Sequence, residues 1–317
     1  IYIMFKKTLI AAAVATLASS VAMADVSISG VVEQTFTDTA GTGSAWTGST
    51  DSSLTFKASE DLGNGLTAFA QITLDTDQTD ANDTATDSSL TDGKDSKVGI
   101  SGSFGTIVMG RMEDFTEGKV MSMMTLNGTG AIEATGNTGR TDDAIAYVSP
   151  TVNGLHVGVA GYAVTADSDA IDATDMAIFY DNGPLSVKIA QEKNDNAAES
   201  LAIGASYAMG DVKVSALHVN RKDDSDSTVD HNDVMLRLDY TMGSNKFTIA
   251  SLDDEQTTGI DGTDVTAVEL THSFSSRTSA YIGATDSKAA NKDTTYVGMI
   301  RSEERRVGKE CRSRWSP

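Results

Sequence analysis

The residue types that most often carry covalent chemistry are few in this chain and far apart. The histidines are His156, His218, His231 and His272, and none belongs to a His-Glu-x-x-His pair. No Gly-x-Ser-x-Gly elbow follows a strand pattern, and Cys311, near the C-terminus, is the only cysteine. These spacings predict no enzyme, no catalytic residue, no metal site and no cofactor.

Fixed charge is the abundant chemical resource of this sequence. Residues 25–300 contain 16 basic and 42 acidic side chains, which give a net charge of −26. A nucleic-acid-binding protein needs a basic face, so this balance argues against one. Some of the charges, such as Lys57 and Arg237, stand within strand-like alternations, where fixed charges can act on ions that pass at close range.

Period-two alternation recurs through residues 25–300 in segments of about ten residues. Leu236, Leu238 and Tyr240 alternate with Arg237 and Asp239, for example. Short turns rich in Gly and Asn separate some segments, and long stretches rich in Asp, Thr and Ser separate the others. The pattern predicts sixteen strands, at 26–36, 52–60, 65–75, 95–102, 105–111, 143–149, 155–163, 175–182, 185–192, 200–208, 212–221, 232–242, 246–253, 264–273, 277–287 and 293–300.

An even number of such strands, with short turns at one end and long loops at the other, is typical of an outer-membrane β-barrel. A barrel must close, because the hydrocarbon layer offers no partner to an open sheet edge. A soluble β-sandwich is the alternative, but one face of these strands carries Lys, Arg, Asp, Thr and Ser, which suits a water-filled lumen. Aromatic residues near strand ends are expected in an interfacial girdle, and here they are Tyr147, Tyr162, Tyr180, Tyr207, Tyr240, Phe247 and Phe274.

The two ends of the chain differ from this body. Residues 1–24 predict a secretory signal peptide, with Lys6 and Lys7 before an apolar run and Ala22-Met23-Ala24 as the cleavage site. Residues 1–3 precede the plausible initiator Met4, so we expect them to be upstream read-through. Residues 301–317 read RSEERRVGKECRSRWSP and are similar to a translated sequencing adapter. We therefore predict a barrel over 25–300 and a non-native tail over 301–317.

Residues 52–74 resemble the first hairpin of the Gram-negative general-diffusion porins of the neisserial and proteobacterial trimeric type. The block 56–66, FKASEDLGNGL, is the most specific part, and further collinear matches lie at 26–33, 104–111 and 140–154. The resemblance implies an all-β fold, a sixteen-stranded antiparallel transmembrane barrel, assembled as a homotrimer in the bacterial outer membrane. It also implies that the third loop, Met112–Gly139 by position, folds inward and narrows the lumen.

The resemblance further implies a constriction with opposed charges. Ser53 stands where the family commonly has a basic residue, which should weaken any anion preference. Together with the acidic net charge, this departure predicts a mild cation preference. The acids of the third loop are Glu113, Asp114, Glu117 and Glu133, and the pore-wall residues are Glu33, Lys57, Arg111 and Arg140, to which strand parity adds Arg237.

The functional prediction is a general porin for passive diffusion of ions and small hydrophilic solutes, in contact with outer-membrane lipid and lipopolysaccharide. Two alternatives remain open. A substrate-selective channel of the same fold would need a basic ladder or an aromatic slide in the lumen. A structural or adhesin barrel with a plugged lumen would show no conductance.

Overall fold

The computed structural model describes residues 25–48, 52–76, 93–127, 139–163, 171–194, 199–222, 230–256, 264–288 and 292–307. The signal peptide predicted at 1–24, the end of the tail from residue 308 and the third-loop acid Glu133 lie outside the described residues. Among the residues described, no helix has the length and apolar character needed to cross a bilayer.

Almost all of the described chain is β-strand. The strands are β1 Asp25–Thr39, β2 Gly43–Gly48, β3 Ser53–Gly63, β4 Leu66–Asp75, β5 Gly93–Gly102, β6 Gly105–Glu113, β7 Arg140–Val148, β8 Leu155–Ala163, β9 Ala173–Asn182, β10 Leu185–Asn194, β11 Glu199–Met209, β12 Val212–Lys222, β13 His231–Met242, β14 Asn245–Gln256, β15 Val265–Ser275, β16 Thr278–Ser287 and β17 Thr294–Val307.

The strands pair antiparallel and close into a ring. From β3 onward each strand pairs with the next, and β17 returns to β1, with Val26 opposite Val307 and Thr39 opposite Thr294. The other edge of β1 pairs with β3 through residues 25–31 and with β2 through residues 34–39. Because β2 and β3 share one position in the ring, the fold is a closed 16-stranded antiparallel barrel, as predicted.

The alternation sorts side chains between two surfaces. Leu236 and Ile249 are 54 % and 55 % exposed on the outside, while their chain neighbours Met235 and Ala250 are 0 % and 1 % exposed on the inside. An apolar outer belt of this extent is unfavourable in water and is the surface that a transmembrane barrel presents to lipid. The polar rows therefore face the lumen.

Six of the seven expected girdle aromatics lie at the short-turn end on outward-facing rows, among them Tyr207, Tyr240 and Phe274, which are more than 40 % exposed. Tyr162 is the exception, because it lies inward at the long-loop end of β8 and is 1 % exposed. The short turns themselves use Gly and Asn for left-handed backbone, as at Asn64 (φ 54°) and Gly65 (φ 77°).

Two differences from the predicted strands have physical reasons. The six-residue β2, GSAWTG, lacks alternation and forms because it covers the free edge of β1. The last strand was predicted to end at residue 300 but continues to Val307, where residues 301–307 pair with the first half of β1. Strand pairing uses backbone hydrogen bonds, which almost any residue type can form. The free edge of β1 can therefore pair with residues 301–307 whatever their side chains.

The third loop connects β6 to β7, and its described part, residues 114–127, folds into the barrel. It forms a π-helical turn at Thr116–Val120 and a 3-10 turn at Met121–Met123, which contact β10, β11 and β12. Residues 128–138 of the loop are outside the described part of the chain.

Candidate functional site: the third loop and the inner wall

Apolar packing fixes the third loop to one side of the lumen. Val120 and Met124 are fully buried, and Met121 and Leu126 are nearly so. Burying side chains of this size contributes about 1.5–3 kcal/mol each. Their partners are inward-facing residues of β9 to β15, namely Ala177, Phe179, Ala190, Ala202, Leu217, Val219, Met235, Ala250, Leu252, Val265 and Ala267.

Small residues on the inner wall make room for this loop. A Cβ atom on Gly158 would come within 2.7 Å of the Phe115 ring, and one on Gly204 would come within 2.8 Å of the Met123 sulfur. Phe115 also meets Phe179 edge to face, with ring centroids 6.0 Å apart. The inward row is therefore shaped to fit the loop. The alternation alone suggested a row in contact with water along its whole length, and this part of it is dry.

Asp175 on β9 holds the start of the loop. Its Oδ2 accepts hydrogen bonds from the backbone N–H groups of Phe115 (2.7 Å) and Thr116 (3.0 Å), and the Thr116 hydroxyl also donates to it. Asp175 is fully buried. A buried carboxylate that accepts several donors forms strong, charge-assisted bonds, so Asp175 fastens the first helical turn to the barrel.

Asp114 ties the two ends of the loop together. Its Oδ1 accepts the Glu117 N–H at 2.6 Å, its Oδ2 accepts the Gly139 N–H at 2.7 Å, and its own N–H donates to the Gly139 carbonyl. Burial raises the pKa of Asp114 to about 7, with the nearby Asp175 and Glu117 adding to the rise and the two backbone donors opposing it. Asp114 is only 1 % exposed, so it closes the base of the loop and does not line a water-filled passage.

Arg237 on β13 secures the far part of the loop. Its guanidinium donates to the Thr125 carbonyl at 2.6 Å and forms a two-pronged ion pair with Asp239 at 2.9 and 3.0 Å. Asn127 donates to Glu269 on β15 at 2.7 Å. The described part of the loop therefore runs along the inner wall from β6 to β15. Arg237 holds it there through the bond to the Thr125 carbonyl.

A charged cluster forms where the loop joins β7. Arg140 contacts Glu113 and Asp95, each at 3.2 Å, and Lys97 contacts Asp95 at 2.9 Å. Among the predicted site residues, the structure thus brings Glu113 and Arg140 together. Because acids and bases alternate within the cluster, most of its charge is balanced locally.

Three further lysines have exposed side chains on the lumen side. Lys57 on β3 lies in the row of Thr55 and Gln71, and Lys213 on β12 lies in the row of Ser215, which is 1 % exposed. Lys119, on the third loop, and Lys213 both repel Lys188 on β10, whose ammonium donates to the Lys119 carbonyl. Within the described part of the chain, Lys57, Lys119 and Lys213 form no ion pair.

The two remaining predicted wall residues lie in different surroundings. Glu33 faces inward but is 2 % exposed and accepts a hydrogen bond from the Tyr281 hydroxyl at 2.5 Å. Arg111 lies opposite Ser96, in line with the outward residues Val98 and Met109, and pairs with Asp142 at 2.7 Å. A register shift between β6 and β7 at residues 110–112 accompanies this placement. Arg111 is therefore not among the inward cations.

Sequence reasoning missed the residues that hold the loop, chiefly Asp175 and Asp239. A usable signal did exist for Asp175, which interrupts an inward row of Ala173, Ala177 and Phe179. An acid among small residues in one row indicates a wall covered by a polar segment of the chain. Lys97 and Lys213 were missed because neither lies in the segments that carried the family resemblance.

A closed barrel with an apolar outer belt and a charged interior lined by an inward loop defines an outer-membrane channel. A profile of the Gram-negative porin family matches residues 11–292, and the chain belongs to that family. It is 28 % identical over 337 residues to outer membrane porin protein 32 of Delftia acidovorans, across 93 % of this chain and 92 % of the relative. The protein is therefore an outer-membrane porin.

Solved structures share the fold. The anion-selective porin from Comamonas acidovorans matches with a TM-score of 0.71 and 22 % identity, over 89 % of this chain and 100 % of that one. OmpF from Salmonella typhi, in a complex with daunomycin, gives 0.70 and 16 %, over 88 % and 97 %. The trimer form of OmpT from Vibrio cholerae gives 0.67 and 13 %, over 89 % and 99 %.

Proposed function

We propose that this porin is a general diffusion channel with a mild preference for anions. The observation that carries the proposal is the asymmetry of charge on the lumen side. Lys57, Lys119 and Lys213 expose ammonium groups that form no ion pair within the described part of the chain. By contrast, five inward carboxylates are buried and accept hydrogen bonds, namely those of Glu33, Asp114, Asp175, Asp239 and Glu269. In a narrow lumen an exposed fixed charge acts on a passing ion more strongly than it would in bulk water.

The sign of this preference differs from the one predicted from net charge. Net charge counts every acid equally, including those in the long loops, whose effect is screened within about 8 Å at physiological salt. Inside the barrel, Asp175 and Glu269 are buried against the third loop and hold its donors. The description of the Comamonas acidovorans structure as an anion-selective porin supports the same sign here.

The lysines lie on two sides of the lumen. In the ring of strands, β3, which bears Lys57, is separated by about half the circumference from β10 to β12, which bear Lys188 and Lys213. We propose that anions cross between these two sides, past the cluster of Arg140, Glu113 and Asp95. The pore performs no covalent chemistry in this proposal, and solute moves down its own gradient.

We also propose that the working unit is a homotrimer, as in the trimer form of the Vibrio cholerae relative, embedded in outer-membrane lipid and lipopolysaccharide. An apolar belt that surrounds the barrel supports contact with lipid and with neighbouring subunits.

Liposome swelling tests the proposal against its two rivals. Liposomes containing folded protein should swell in a graded series of neutral sugars, at rates that fall smoothly with solute size, and faster with an anionic solute than with a cationic one of equal size. Rapid swelling with one solute and none with others of similar size would favour a substrate-selective channel. No swelling at all with correctly inserted protein would favour a plugged structural barrel.

A further inference from the structure

A histidine and two aspartates meet on the inner wall at the long-loop end of β13 and β14. Asp233 lies directly opposite Asp254 in the strand register, and the His231 Nδ1 atom is 3.1 Å from Asp254 Oδ1. One nitrogen or oxygen atom from each of the three side chains lies within 4.8 Å of the other two. Among the described residues this is the only group with that geometry.

One oxygen of this group is buried and has no hydrogen-bond partner among the described residues. Asp233 is 2 % exposed, and no described residue donates a hydrogen bond to its Oδ1. Leaving a carboxylate oxygen buried in this way is unfavourable, so such an atom calls for a cation or a proton. Its row is shared with Met235 and Leu252, which are buried beneath the third loop, and water has little access from that side.

The neighbouring charges leave room for a cation. Arg221 lies opposite His231 on β12 and attracts the Asp233 carboxylate. Among the side chains named here, two carboxylates thus face one guanidinium. The His231 and Asp254 side chains are 10 % and 12 % exposed, so an ion could reach the group from the lumen.

The donor set selects the type of ion. One imidazole nitrogen and two carboxylates suit Zn²⁺ and related transition metals, whereas Ca²⁺ and Mg²⁺ prefer sites made of oxygen alone. Zinc binds nitrogen and oxygen at about 2.0–2.2 Å, so small side-chain rotations bring all three atoms into range, and water can complete a tetrahedron.

We propose that His231, Asp233 and Asp254 bind a divalent transition-metal ion of the zinc class on the lumen wall. Spacing along the chain does not reveal this site, because the three residues form no sequence motif and only the pairing of β13 with β14 brings Asp254 to the other two. A bound ion adds positive charge to the wall near the mouth. It should therefore move the ion preference further toward anions.

Zinc titration of the intact protein tests the site directly. Folded protein is treated with chelator, freed of it, and titrated with ZnCl₂ in a calorimeter. We expect one zinc per chain, with no comparable binding of CaCl₂ or MgCl₂. His231→Gln and Asp233→Asn should each weaken zinc binding by at least about 10-fold, because each removes one of three ligands.

His218→Gln is the matched control. His218 lies on the neighbouring strand, bonds to Asn232 at 2.7 Å, and belongs to the opposite face of the sheet, so its loss should leave zinc affinity unchanged. Every variant is first checked for heat-resistant folded protein. Asp233→Asn is nearly isosteric and should keep the barrel intact. A second readout is the reversal potential in a salt gradient, which zinc should shift in the parent but not in His231→Gln.

Three results would overturn the proposal. The parent could bind no zinc, in which case a protonated-carboxyl infrared band lost in Asp233→Asn would show that the two aspartates share a proton instead. His231→Gln could bind zinc as tightly as the parent. His218→Gln could lose as much affinity as His231→Gln, which would indicate loose surface binding. Calorimetry needs no ion flow, so these outcomes are independent of whether the channel conducts.

Discussion

Replacing Asp175 with alanine should unfasten the start of the third loop without freeing the whole loop. The change removes the acceptor of two buried backbone donors, those of Phe115 and Thr116. Hydrogen bonds to a charged group contribute about 1.5–3 kcal/mol each, so the local loss is about 3–6 kcal/mol. The opposing term is the burial of Val120, Met121, Met124 and Leu126, which stabilises the loop by about 6–12 kcal/mol in total.

The third loop of Asp175→Ala should remain in place apart from its first turn. The apolar contacts outweigh the lost bonds, so the loop stays inside the barrel while its first turn opens more often. Since every 1.4 kcal/mol corresponds to a factor of ten, amides 115–120 should exchange with solvent at least about 100-fold faster. Amides 121–127 should change much less.

Hydrogen–deuterium exchange with mass spectrometry measures this on the folded protein. The control is Asp181→Ala, which removes an inward-facing, exposed carboxylate from the same strand that accepts no hydrogen bond from the described part of the loop. Single-channel recording should show a noisier open current in Asp175→Ala and a mean conductance close to that of the parent. Unchanged exchange of amides 115–120 in Asp175→Ala would refute the assignment of Asp175 as the fastening residue.

The loop base, the glycine beneath Phe115 and the exposed Lys57 can each be perturbed separately. The pKa of Asp114 is raised to about 7, so the base of the loop should gain stability as the pH falls from 8 to 5. Hydrogen exchange of the Glu117 and Gly139 amides, which donate to Asp114, should slow over this pH range in the parent more than in Asp114→Asn. An equal pH response in both proteins would contradict this. Gly158→Val should push Phe115 aside and cost about 1–3 kcal/mol, seen as a lower melting temperature and a changed conductance; an unaltered channel would count against the close fit. Lys57→Glu should shift the reversal potential toward cations, whereas Lys193→Glu, an ion-paired site on the outer row, should not; equal shifts would show that lumen placement is irrelevant.

Alternation and turn chemistry were sufficient to predict the barrel. Each of the sixteen predicted segments overlaps an observed strand, because the two-residue period and the left-handed Asn and Gly turns are local properties of the chain. The short strand β2 was not predicted, because it forms by pairing with β1 and has no alternation of its own. The continuation of β17 to Val307 was not predicted either, because residues 301–307 are held in the strand by their pairing with β1.

The site was less accessible to sequence reasoning. Strand parity assigns Arg237 to the inward row of β13, but parity cannot reveal that it donates to the Thr125 carbonyl. Whether an inward residue meets water or the third loop depends on the path of that loop, which is set by contacts between segments far apart in the chain. The same limit applies to Asp175, and to the meeting of His231 with Asp254 across two strands.

Anion-preferring diffusion through this porin can be measured as current through the folded protein in a planar bilayer under a KCl gradient. We predict conductance steps that appear in threes and a reversal potential of anion sign. A reversal potential of cation sign would contradict the assigned role of the exposed lysines. Silence from correctly inserted protein would contradict the diffusion channel itself.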